Sequence, residues 1–241
     1  MSGLFNPTIA RITLRALIGR RRFLLLLPLP LLVVGLAALA ISLGAEPEDL
    51  VDSVIVGLGI GVALPVMALI VGAGVLGSEI DDGTVAHILA KPVPRSEIIL
   101  SKLVVAVLVT AVTVGVPMYV VGLLAGSSKL ALGLAVGTLL GSLAYNALFL
   151  ALSLVTRRPV LLGLIYVLIW EGLLTNLLAG TSVLAIQQYV LAVTDRIATT
   201  DLLSAKVSLS VSLGMTFVFV VGATLLSIDR LRSFSVVGET S

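Results

Sequence analysis

An all-α fold embedded in a membrane is what this sequence predicts, on three observations. Six long apolar stretches, residues 23–44, 51–77, 98–126, 130–155, 160–178 and 207–228, fill most of the 241-residue chain. Hydrophobic residues make up 59% of it and the mean hydropathy is +1.21, which leaves no room for a soluble catalytic domain. The basic residues sort by the ends of the stretches. Arg11, Arg15, Arg20, Arg21, Arg22, Lys91, Arg95, Lys102, Arg157, Arg158, Arg230 and Arg232 fall on one side, and only Lys129, Arg196 and Lys206 on the other.

Each stretch has the length, about 20 apolar residues, that a helix rising ~1.5 Å per residue needs to cross ~30 Å of hydrocarbon. Backbone groups in lipid must be satisfied within the span, so even the Val-rich run of residues 104–116 is expected to be helical. The twelve-to-three split of basic residues puts both termini and the connection 79–102 in the cytosol. The first external loop, with Glu46, Glu48, Asp49 and Asp52, is purely acidic. The expectation is a multi-pass protein of the cytoplasmic membrane, with residues 1–241 forming one membrane domain.

Composition narrows the classes further. The pI near 9.2 comes from cytosolic flanks that meet anionic lipid, which argues against a nucleic-acid partner. With no cysteine there is no disulfide framework, thiolate metal site or thiol nucleophile. Residues 23–44 exceed the ~7–15 residues of a signal-peptide core, so they read as a retained span.

Three segments lie outside the stretches. In residues 6–22, Asn6 is placed to cap a helix with Pro7 at its first position. Ile9, Ile12 and Ala16 share one face, and Arg11 and Arg15 another. This fits an amphipathic helix on the cytosolic leaflet, or else a basic flank that only sets topology. In residues 78–97, Glu79, Asp81 and Asp82 near the start and Lys91 near the end suit the dipole of a short helix that Pro92 and Pro94 terminate. Such a helix is a docking surface; the alternative is a solvated turn carrying His87 as an ordinary exposed residue. Residues 180–206 are external and too apolar for a free loop, which fits one or two short re-entrant helices or a simple cap on the bundle.

Within the membrane, Glu171 is the one ionisable side chain deep in a stretch, beside Trp170. It is either a functional carboxylate or a group bonded to backbone at a re-entrant turn near the outer interface. Tyr145, Asn146 and Ser142 are candidates for hydrogen bonds between helices. Gly133, Gly137 and Gly141, spaced by four, form a close-packing face. Tyr145, Asn146, Trp170 and Glu171 are therefore the candidates for a pathway or re-entrant turn.

The stretch GSEIDDGTVAHILAKPVPRSEIILSKLV resembles the cytosolic signature of ATP-binding-cassette (ABC) transporter permeases of type 2. Glu79, Gly83, Thr84, Leu89, Pro92, Arg95 and Lys102 carry the match, while Pro94 departs from the Ser or Thr more usual there. A second block, TRRPVLLGLIYVLIWEGLLTNLLAG followed by SVLAIQQY, is similar to the fifth span and external re-entrant region of bacterial members. The resemblance implies a half-transporter in which two six-span subunits form the pathway. Separate ATPase subunits would hold ATP and magnesium, leaving no cofactor on this chain. The family also favours export, and Glu79, Asp81, Asp82, Gly83, Thr84, Leu89, Lys91, Pro92 and Arg95 become the expected coupling residues.

The residues agree with that division of labour. A P-loop needs Gly-x-x-x-x-Gly-Lys-[Ser/Thr], and none of Lys91, Lys102, Lys129 and Lys206 follows a glycine. A pathway lined by Leu, Val, Ala and Gly suits lipid-like or drug-like amphipathic molecules better than ions. The competing classes are a secondary transporter, for which Glu171 is the only support and no internal repeat is evident, and a non-transporting accessory subunit. A membrane enzyme lacks a nucleophile, base and metal constellation.

Overall fold

The computed structural model describes residues 5–18, 26–81, 93–178, 180–199, 202–203 and 205–237, and every regular element among them is helical. Helix α1 spans Pro7–Ile18 and α2 spans Pro28–Ser42. A long helix, α3, runs without a break through Pro47–Asp49, Leu50–Ala63 and Leu64–Asp81, its middle part in wider turns bonded i to i+5. Then come α4 (Arg95–Leu124) and α5 (Ser128–Val155). Helix α6 joins Pro159–Ile165, a second wide-turned part Tyr166–Leu174, and Thr175–Leu177. A tight helical turn, Thr181–Leu184, leads into α7 (Ile186–Ala198), and α8 (Leu209–Val237) ends the chain.

Among the described residues, four helices are long and apolar enough to cross a membrane: Pro47–Leu76, Arg95–Leu124, Ser128–Val155 and Leu209–Ser233. Pro28–Ser42 and Pro159–Leu174 are apolar but shorter, so the six expected crossings stand as four plus two shorter apolar helices. The reasons are local. Prolines at the first helical position set the starts of α2 and of α6. In α6 the wide turns spend more residues per turn, so the fifth stretch gains less height than an α-helix of equal length.

Local chemistry explains the joints. Between α4 and α5 the chain reverses at Gly126, whose φ of +78° a side chain would disfavour, and Ser127 Oγ accepts from the Leu130 N–H at 3.1 Å to cap α5. At the other end, Asn6 Oδ1 accepts from the N–H groups of Thr8 and Ile9 at 3.0 and 3.3 Å, the expected cap of α1. The Asn6 N–H in turn donates to Ser101 Oγ at 2.8 Å, which ties α1 to the start of α4.

Helix α1 turns one face into the bundle and leaves most of the Ile9, Ile12 and Ala16 face outside it. Thr13 and Leu17 are buried and Ile9 and Ala10 half-buried, whereas Ile12 is 59% exposed and Ala16 is exposed. The Asn6–Ser101 bond fixes the roll of the helix, turning Ile12 and Leu14 to the surface with Arg11 and Arg15. The connection after α3 starts later than expected: Glu79 and Asp81 still belong to that helix, and no proline lies between Pro65 and Pro92. Asp82, Gly83, Thr84, His87, Leu89, Lys91 and Pro92 lie outside the described residues, while Arg95 is the first residue of α4.

Two apolar clusters hold the bundle. The larger one joins α2, α3, α4, α5 and α7 through residues such as Val33, Met67, Met118, Phe149 and Val190. The smaller one gathers the ends of α3, α4, α5 and α8 around Leu76, Ile99, Leu150 and Leu231.

Candidate functional site

Helix α7 is the element around which several of the candidate residues gather. Gly133, Gly137 and Gly141 of α5 form a flat track, and α7 lies on it so closely that a Cβ on Gly133 would stand 2.8 Å from the Thr194 carbonyl oxygen. On Gly141 it would stand 2.5 Å from Val190 Cγ2 and 2.7 Å from Leu64 Cδ2. The Thr194 hydroxyl donates within this contact, with the Gly133 carbonyl at 3.2 Å and the Val190 carbonyl at 2.8 Å. The glycine spacing read from the sequence thus serves contact with the short helix α7, joined at Gly141 by Leu64 of α3.

Gly141 lies thirteen residues into α5, about 20 Å along it, so the start of α7 is set deep between the ends of the bundle. Irregular backbone at that depth needs partners, and side chains supply them. The Tyr189 hydroxyl donates to the Val183 carbonyl at 2.5 Å, and the Thr181 hydroxyl reaches the carbonyls of Leu174 and Leu178 at 3.1 and 2.8 Å. The first turn of α7 presents the Gln187 N–H to Glu171 Oε1 at 3.2 Å.

Glu171, 4% exposed, is the centre of this cluster. Tyr145, wholly buried on α5, donates its hydroxyl to Glu171 Oε2 at 2.5 Å. The Tyr166 hydroxyl stands 3.2 Å from Glu171 Oε1 and 3.1 Å from the Leu184 carbonyl, so its single proton has two acceptors within reach. Thr175 donates to the backbone carbonyl of Glu171. The Glu171 carboxyl group thus accepts from the Tyr145 hydroxyl and from an N–H in the first turn of α7, with the Tyr166 hydroxyl within reach. Three of the four tyrosines in the chain are engaged around this one turn.

Tyr166 and Glu171 meet because of the wide turns of α6. In an α-helix, residues five apart point about 140° away from one another. Bonding i to i+5 brings them to the same side. Side-chain periodicity in the sequence therefore hides Tyr166, and Gln187 and Tyr189 were equally invisible as partners because they lie across a chain reversal. The even polar/apolar mixing of residues 186–198 was the available signal.

The other candidates go elsewhere. Asn146, next to Tyr145 but about 100° further round α5, donates to Thr110 Oγ1 of α4 at 3.0 Å and to the Ser142 carbonyl at 2.7 Å. Ser142 donates within its own helix, to Leu139 at 2.8 Å, and forms no bond between helices through that hydrogen. Trp170 is half-buried, and its Nε1 is enclosed without a hydrogen-bond partner. Glu79, Asp81 and Arg95 lie far along the chain from this cluster, on the two helices flanking the connection 82–92. There, Lys102, 1% exposed, donates from Nζ to the Val75 carbonyl at 3.0 Å and ties α4 to α3. No group of three potential metal ligands occurs among the described residues.

No curated protein matches the chain. A family model does: residues 19–188, which include Lys102, Tyr145, Glu171 and Gln187, match the model described as ABC-2 family transporter protein. That match covers well over half of a helical, apolar, multi-pass membrane chain, which therefore belongs to the ABC-2 transporter family.

Proposed function

We propose that this chain is the permease subunit of an ABC exporter in the cytoplasmic membrane, with both termini cytosolic. ATP, with magnesium, is hydrolysed by a separate nucleotide-binding subunit, and a second permease chain, the same or different, completes the pathway. The observation that carries the reading is the family match over residues 19–188. The absence of a P-loop anywhere in these 241 residues supports a partner ATPase.

Force from that partner would enter through Glu79, Asp81, Asp82, Gly83, Thr84, Leu89, Lys91, Pro92 and Arg95. The bonds of Lys102 to Val75 and of Asn6 to Ser101 support transmission, since they join α3, α4 and α1 at one end of the bundle. A push on the connection then moves three helices together, as rigid-body switching requires. An amphipathic or lipid-like substrate is supported by an apolar groove of about 400 Å³ between α5 and α8, lined by Leu148, Leu152, Met215, Phe219 and Leu226.

A second reading, a secondary transporter, draws on Glu171, a deep carboxylate facing the start of a re-entrant helix. Purification with the partner separates the two: the exporter reading expects equal numbers of permease and ATPase chains and ATP-dependent transport. Transport by this chain without nucleotide would overturn it. Replacing Glu79 and Asp82 with Ala is expected to leave insertion intact, since neither lies within one of the apolar stretches. Losing a desolvated charge contact to the partner costs roughly 2–5 kcal/mol, so complex formation and stimulated ATP hydrolysis should fall.

A further inference from the structure

The geometry points to Glu171 as a positioning residue: with Tyr145 and Tyr166 it forms a hydrogen-bonded pin that holds the buried start of α7, and so sets whether that helix closes its end of the transport pathway. Its role in a pathway rests on the permease reading; the pin itself does not.

Three features carry the assignment. First, the bonds all converge on one mobile-by-construction point. The turn before α7 follows Gly180, at φ +95°, and its backbone bonds are local ones, Thr181 to Leu178, Val183 to Gly180 and Ala185 to Ser182, so none of them ties it to α5. What holds it is side chains from three different elements: Tyr145 of α5, Glu171 and Tyr166 of α6, and Tyr189 of α7. Second, the glycine track ties α7 to α5 through the Thr194–Gly133 bond, eight residues beyond Ile186, and so leaves the start of α7 to be held by other groups. The Glu171 bond to the Gln187 N–H is placed there. Third, Tyr166 can donate either to Glu171 or to the Leu184 carbonyl without changing its ring position. Release of the turn from the carboxylate therefore need not leave a buried hydroxyl unpaired, so that the pinned and released arrangements differ by few lost bonds. Packing alone would not require a carboxylate, since a buried charge is costly where an apolar side chain would fill the space.

The chain has no cysteine, so one introduced thiol reports one position. Ala185→Cys places the reporter at the start of α7, where Ala185 is 1% exposed, and Leu130→Cys places a control at the adjoining end of α5, where Leu130 is 2% exposed. Each is reconstituted in lipid nanodiscs without nucleotide, so that a water-soluble maleimide reaches both faces, and labelling rates are measured. Glu171→Gln and Tyr145→Phe are expected each to speed labelling at position 185 by at least about fivefold, the size set by losing one net buried hydrogen bond, and to leave position 130 unchanged. The double variant should give less than the product of the two effects, because both act on one set of bonds: Gln keeps a single accepting oxygen for Tyr145 and the Gln187 N–H, and Tyr145→Phe removes one of those two donors. Unchanged labelling at position 185, equal acceleration at position 130, or fully multiplicative effects would each overturn the pin. Because no ATPase or substrate is used, these outcomes are independent of whether the permease reading survives the purification test.

Discussion

Gly137→Ala and Gly35→Ala add the same methyl group to two helices with opposite expected outcomes. At Gly35 of α2 an added Cβ meets nothing within 4 Å, so the variant gains helix propensity, about 1 kcal/mol. At Gly137 of α5 it meets the Thr194 hydroxyl, the Val190 carbonyl oxygen at 2.9 Å and Val190 Cγ1 at 3.3 Å. A side-chain atom could rotate away, but the Val190 carbonyl is backbone inside α7, so the whole helix must retreat. Overpacking of that kind costs about 1–3 kcal/mol, against the same 1 kcal/mol gained in propensity. The two sites should thus differ by about 1–3 kcal/mol. At ~2–4 °C per kcal/mol for a chain of this size, Gly137→Ala should melt roughly 2–12 °C below Gly35→Ala in the same detergent. Thermal unfolding of the purified variants measures this directly. Equal melting temperatures, or a higher one for Gly137→Ala, would refute the placement of α7 on the glycine track.

Other outcomes follow from single bonds. Lys102→Met keeps the buried stem and removes the ammonium that donates to Val75, whereas Lys102→Ala also opens a cavity and should cost about 2–5 kcal/mol; denaturant titration should find Lys102→Met the less destabilised of the two. A double-mutant cycle of Asn146→Leu with Thr110→Val should give a coupling of about 0.6 kcal/mol, and at most ~1.7, read from the same titrations. Asn6→Ala removes the cap of α1 and should cost that helix about 1 kcal/mol, seen as faster hydrogen exchange over residues 7–18 with α4 and α5 unaffected.

Local signals carried much of this architecture. Asn6-Pro7 starts α1, Gly126-Ser127 reverses the chain between α4 and α5, and Gly133, Gly137 and Gly141 mark a close contact; each depends on a residue's own backbone or size and needs no knowledge of its neighbours. Apolar runs imply helices because lipid offers the backbone no other partner. Charge sorting implies an orientation for the same reason, a bilayer with two unlike sides.

Tertiary structure alone decided which side of each helix faces inward and what Glu171 touches. In a soluble helix the polar face announces the surface, but in lipid both the packed side and the outer side are apolar. On α8, buried Leu231 and exposed Leu225 are the same residue type, and on α4, buried Val114 and exposed Val112 likewise. Spacing could not pair Tyr166 with Glu171, because that needs the wide turns of α6, nor Gln187 with Glu171, because that needs the chain to turn back into the bundle. Such pairs are set by which backbone groups the reversal leaves buried and unpartnered, and that is a property of the assembled helices, which no stretch of the sequence holds on its own.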